Sequence, residues 1–112
     1  MEQGCLSTED MQLLKKIGIY TYYFTSVDYA IDRIRKKYSV FIGVTPTLHN
    51  SRVCYNANIR YALPKSMSIC YMPTNVYWNP NIYEVKRKAI RIAAKWILAH
   101  KCKKVSIKSA KK

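Results

Sequence analysis

The chain predicts an α+β fold: a single domain over residues 1–112, with an antiparallel sheet of three to five strands, helices packed mainly on one face and a long C-terminal helix. Three observations carry this. Residues 52–61, RVCYNANIRY, alternate without a break, and a period of two sends successive side chains to opposite faces of a strand. Residues 81–103, NIYEVKRKAIRIAAKWILAHKCK, repeat apolar side chains at helical spacing, as an amphipathic helix does. A chain of 112 residues with 49% hydrophobic content can bury one core but not two.

The elements follow in order. Leu6-Ser7-Thr8-Glu9-Asp10-Met11 opens a short helix over about 8–16: Ser7 can cap its free amides, Glu9 and Asp10 suit the positive end of its dipole, and Leu6 and Met11 have hydrophobic-staple spacing. Lys15 and Lys16 suit its end, and Gly18 can supply a left-handed turn, so the aromatic run Ile19 to Phe24 is expected to start as a strand, with a buried helix as the alternative. Thr25 or Ser26 caps a second helix whose stripe is Val27, Ala30, Ile31, Ile34 and Tyr38. Val40 to Val44 reads as a strand stopped by Thr45-Pro46-Thr47, with a loop through His49, Asn50 and Ser51 before the alternating strand.

After Leu63-Pro64-Lys65, residues 66–72, SMSICYM, alternate again and are expected to pair with 52–61. Tyr61 opposite Met67 would keep the apolar and polar faces apart. PTNVYWNP, bracketed by Pro73 and Pro80, reads as a crossing loop that packs Val76, Tyr77 and Trp78. Asn79 or Asn81 caps the long helix. Its apolar stripe is Ile82, Val85, Ala89, Ile92, Ala93, Trp96, Ile97 and His100, and Arg87, Arg91 and Lys95 recur on the other side. Val105 and Ile107 could add an edge strand within a Lys-rich tail over about 104–112.

The charge narrows the function. Twenty Lys and Arg against six Asp and Glu give a formal +14, a field that concentrates polyanions. Residues 1–32 hold two lysines against five acids, whereas residues 33–112 hold 18 basic residues against Glu84 alone. Arg87, Arg91 and Lys95, with Lys88 alongside, make a stripe of about 12 Å from the helical rise, suited to phosphates. A solvated outer face would look the same, but such a face usually interleaves acids at i, i+4. The polar face of the alternating strand adds Arg52, Asn56, Asn58 and Arg60, with Cys54 between them.

Catalysis finds few residues. His49 and His100 are the two histidines, the carboxylates sit where helix starts explain them, and there is no glycine-rich phosphate loop, GxSxG or HExxH. The chain is therefore expected to be non-enzymatic, with no cofactor. Cys5, Cys54, Cys70 and Cys102 have no CxxC or CxxH spacing, which argues for reduced thiols and against a metal. His49 could join Cys54 and Cys70 only if its loop folded back. The longest apolar runs are too short to cross a bilayer and no export signal is visible, so a cytoplasmic location without membrane attachment is expected. Of ten tyrosines, Tyr55, Tyr61 and Tyr71 fall on apolar strand faces, while Tyr20, Tyr22, Tyr23 and Tyr77, with Trp78, are freer to touch a ligand.

The expected order helix-strand-strand-strand-helix, with EVKRKAIRIAAKWIL as its last helix, resembles a double-stranded RNA-binding domain over about 75 residues. Lys86, Arg87, Lys88 and Ala89 approximate that family's Lys-Lys-x-x-Ala-Lys helix start, and the glycine-rich turn between its later strands is missing. The resemblance, one of element order and charge, implies a nucleic-acid-binding module. Related three-stranded modules bind duplex DNA, so it does not choose between DNA and RNA. The expectation is a small basic nucleic-acid-binding protein; the alternative is an interaction or inhibitor protein, or assembly component, whose basic surface docks on an acidic protein partner.

Overall fold

Ser7 begins the first helix, α1 (Thr8–Lys16). Its hydroxyl accepts from the Asp10 amide at 3.2 Å and the Asp10 carboxylate accepts from the Ser7 amide at 3.4 Å, so each satisfies a donor the helix start leaves open. Leu6 is buried, and Met11 packs against the same core. After Ile17, Gly18 takes φ 80° and turns the chain; a Cβ there would meet the Lys37 ammonium at 2.8 Å.

A strand over Ile19 to Phe24 does not form among the described residues. The computed structural model describes residues 4–22, 24–62, 69–71 and 78–110. The run is closed locally instead. Thr25 Oγ1 accepts from the Tyr22 amide at 2.9 Å and donates to the Tyr22 carbonyl at 2.6 Å, and Phe24 takes φ 66°. This turn removes the polar groups a strand would pair and leaves Tyr20, Tyr22 and Phe24 exposed.

Ser26 caps α2 (Val27–Tyr38), and Ser39 at φ 56° ends it. The Tyr38 hydroxyl donates to the Ile17 carbonyl, and burial pushes that phenol up from its ordinary value. Two long strands follow, β1 (Val40–His49) and β2 (Arg52–Ala62), joined by Asn50 and Ser51 at φ 51° and 63°. Two left-handed residues make the tight turn whose twist matches a hairpin. The expected stop at Val44 and the loop through Ser51 are corrected accordingly. Pro46 sits within β1, opposite Tyr55; β1 is at the sheet's edge, where a missing amide costs no ladder bond.

The sheet order is β1-β2-β3, with β3 covering Ile69–Tyr71. Tyr61 pairs with Cys70 and Arg60 with Tyr71, so the register with Tyr61 on Met67 is corrected by an odd number of residues. Three rungs are too few for alternation to enforce a register that long strands would. Ser66 to Ser68 and Met72 lie outside the described residues, as do Val76 and Tyr77.

Asn81 caps α3 (Ile82–Ala110), its side-chain oxygen accepting from the Tyr83 amide at 2.9 Å. The helix runs past the expected end at Lys103, and 105 and 107 are helical rather than an edge strand. Nothing from 102 to 110 breaks it: the stretch has Lys and Ala but no Gly or Pro.

The core joins Leu14 and Ile17 to Val27, Ala30 and Ile34, and these to Ala89, Ile90, Ala93, Ala94 and Ile97 of α3. From the hairpin it takes Val40 and Ile59, with Ile42, Ala57 and Tyr61 packed against it. The rungs Val40–Tyr61, Ile42–Ile59 and Val44–Ala57 place these on a common sheet face. α3 meets α1 and α2 as well as β1 and β2, which is why Ile90 and Ala94 are buried beyond the expected stripe. His100, placed on that stripe, is exposed and lies 4.1 Å from the Trp96 ring.

Candidate nucleic-acid interface

The two predicted basic rows meet different fates. On α3, Arg87 is 4% exposed; its Nε donates to the Cys5 carbonyl at 3.0 Å and its guanidinium pairs with Glu84. Arg91 Nε donates to Asp10 Oδ1 at 2.6 Å, and a second nitrogen reaches Oδ2 at 3.4 Å. Asp10 is only 1% exposed, and its hydrogen bonds hold the Arg91 guanidinium above its ordinary value. One helical turn before Ile90, Lys86 pairs with Asp28 at 2.7 Å. The expectation that this row lacks acid partners is corrected: Asp10 and Asp28 come from the N-terminal third of the chain and Glu84 from the helix itself. Lys88 and Lys95 are exposed.

Sequence reasoning gave Asp10 a capping role and stopped there. The signal that could have found the pairing was the split between an acid-rich first third and a basic remainder, since two oppositely charged segments of one chain are each other's nearest partners. The side chains it missed are therefore Asp10 and Asp28.

The other row is built by alternation on β2. Arg52, Asn56, Asn58 and Arg60 point away from the face that carries Ala57 and Ile59, and their partners on β1 are His49, Thr45, Gly43 and Phe41. From Arg52 to Arg60 the row spans about 26 Å at a strand's rise of about 3.3 Å per residue. Arg52 is exposed; Asn56, Asn58 and Arg60 are half-buried. The Asn58 amide lies over Gly43, where a Cβ would come within 3.1 Å of its oxygen. Arg60 stacks its guanidinium 5.9 Å from the Phe41 ring centroid, and its Nε is buried without a hydrogen-bond partner. Cys54, in the same row, is buried and free, as is Cys5.

The two rows do not merge. Ile59, which alternates with the polar row, shares the core with α3, so Arg52 and Arg60 lie across the sheet from Arg87 and Arg91. Instead, an aromatic pair stands beside the strand row. Tyr55 and Asn79 exchange backbone hydrogen bonds of 2.8 and 3.2 Å, which holds Trp78 alongside β2. Its ring lies 4° from parallel to His49, with centroids 6.4 Å apart. Tyr20 and Tyr22 are also exposed, beside Lys15 in a shallow groove against α1; Tyr55 and Tyr61 are half-buried.

Among the described residues, no group of three His, Cys, Asp or Glu could hold a metal ion, and no helix is long and apolar enough to cross a membrane. No family model matches the chain, and no curated protein and no solved structure matches it either.

Proposed function

We propose that the protein binds nucleic acid without catalysis, and that the polar face of the β1–β2 hairpin is its contact surface. One observation carries this reading: Arg52 and Arg60 stand in a row with two asparagines, with no carboxylate partner among the described residues. Elsewhere four of the five described acids are consumed. Asp10, Asp28, Asp32 and Glu84 all sit in ion pairs with basic residues of the helices, so the excess positive charge has no internal complement on the strand face. The hairpin residues that join the helices in the core, Val40, Ile42, Ala57 and Ile59, alternate with this row, and Arg52 at its end is exposed.

The chemistry suits a polyanion. Two guanidiniums at the ends of a strand can each take a phosphate, with geometry that fits two oxygens at once. The asparagines between them offer both donors and acceptors to base edges. Of the basic helix positions that carry the double-stranded RNA-binding resemblance, Lys86 and Arg87 are tied to Asp28, Glu84 and Cys5, whereas Lys88 is exposed.

Titrating fluorescently labelled single-stranded and duplex oligonucleotides with the protein at two ionic strengths tests this. The reading expects binding that weakens steeply with salt, and Arg52→Gln to reduce the salt slope by about one. No binding of either at low salt overturns it, and retention of an acidic protein after nuclease treatment would assign the basic surface to that partner instead.

A further inference from the structure

We propose that His49 and Trp78 form a stacking site for one unpaired nucleobase, which makes single-stranded nucleic acid the ligand of the hairpin face. This rests on the reading of that face as a nucleic-acid surface and names its substrate class.

The geometry of the pair is unusual for an ordinary core contact. The ring planes are within 4° of parallel, and the centroids are 6.4 Å apart. Aromatic pairs in mutual contact range from about 4.5 to 7 Å between centroids, so these two stand near the wide end. At that separation the two rings are not in close face-to-face contact with each other. Both belong to exposed residues, Trp78 at 40%. The pair is therefore partly accessible to solvent rather than enclosed in the core.

Both rings are held by ordered backbone. His49 ends β1 on the last rung of the hairpin, opposite Arg52. Trp78 precedes Asn79, whose amide and carbonyl are both bonded to Tyr55. The platform is therefore pinned to β2 from two sides, and a base settling on it loses less freedom than one that must first order a loop. Arg52, across the rung from His49, is placed to take the phosphate of a stacked nucleotide. At the other end of the same face, Phe41 and Arg60 pair a second ring with a second guanidinium.

An unpaired base has a π-face to give, whereas the bases of a duplex are stacked on each other and present only edges in the grooves. Stacking on aromatic side chains is how proteins without a groove-reading helix hold single strands. On α3, Arg87 and Arg91 are bonded to Cys5, Glu84 and Asp10, which leaves them less suited to track a duplex backbone.

The test measures the affinity of the intact protein for a short labelled single strand and for its duplex by fluorescence anisotropy, with Trp78→Ala, Trp78→Phe and His49→Ala alongside. The single strand is expected to bind more tightly. Trp78→Ala should weaken single-strand binding about five- to a hundredfold, the range of one lost base stack, and leave duplex binding unchanged, while Trp78→Phe restores most of the loss. Urea unfolding of each variant shows whether it is folded, and His49→Ala serves should Trp78→Ala unfold. Equal affinity of wild type for the two forms, or single-strand binding untouched by both alanine variants, overturns the stacking site and leaves the nucleic-acid reading standing. Absence of any binding by the wild type at low salt overturns both.

Discussion

The arginines of α3 and those of β2 look alike in sequence and behave oppositely in the fold. Arg87 and Arg91 point into the seam between α3 and the N-terminal segment, where a carbonyl, Glu84 and the buried Asp10 receive them. Arg52 and Arg60 point off the far side of the sheet and meet no carboxylate among the described residues. A count of basic residues does not separate these cases. What separates them is whether an acid is brought alongside, and here Asp10 and Asp28 of the first 32 residues are brought to α3, where Glu84 joins them. The lesson is that a strongly positive chain can spend part of its charge on its own architecture, and only the remainder is available to a partner.

The contrast can be broken most severely on β2 itself, whose two faces should respond differently. Ile59→Ala empties a fully buried position in the core and is expected to cost about 2–5 kcal/mol in urea unfolding, while Asn58→Ala on the opposite face should change stability by less than about 0.5 kcal/mol. Similar costs for the two would mean that the polar face is packed against something as tightly as the apolar one.

Next in size is the difference between the two arginine rows. Arg91→Met leaves the Asp10 carboxylate buried without its guanidinium, and is expected to cost about 2–3 kcal/mol once the partial exposure of the pair is allowed for. Arg52→Met should stay within about 0.5 kcal/mol. Equilibrium unfolding of both variants checks this, and a neutral Arg91→Met would remove the structural role assigned to the helix row. The capping box that fixes Asp10 sharpens the same point: Ser7→Ala is expected to lose about 1 kcal/mol, read as a lowered unfolding midpoint at unchanged slope.

The smallest effect concerns acid. Hydrogen bonds from Arg35 and Lys36 hold the Asp32 carboxyl below its ordinary value. A depressed carboxylate stabilises the fold above its unfolded pKa, and that contribution disappears as pH falls through the depressed value. The group is at the surface, so the effect is slight. Asp32→Asn should slightly lower the plateau of melting temperature near neutrality and converge with the wild type in acid, so that its acid limb is flatter; a curve that matches the wild type throughout would show that the pairing contributes nothing.

Much of the fold was legible because it depends on local rules. Ser7, Ser26 and Asn81 cap where caps were expected, Gly18 takes the left-handed turn, and the alternation of 52–61 yields the strand and its two faces. The failures involve partners distant in sequence. Ile19 to Phe24 has the composition of a strand, but Thr25 closes it into a turn with no neighbouring strand. Pro46 looked like a stop and is tolerated because β1 is an edge. The candidate site divides along the same line. The hairpin row follows from period-two alternation, which needs no tertiary knowledge, whereas the fate of Arg91 depended on a carboxylate 81 residues away.

The most direct test of this division is a double charge reversal on the strand row. Arg52→Glu/Arg60→Glu should still unfold cooperatively in urea, with any drop in midpoint arising at the half-buried Arg60 and its contact with Phe41, and bind a labelled single-stranded oligonucleotide at least about tenfold more weakly at low salt. Unchanged affinity in a folded double variant would contradict the account, and would show that the hairpin face is not where the protein meets nucleic acid.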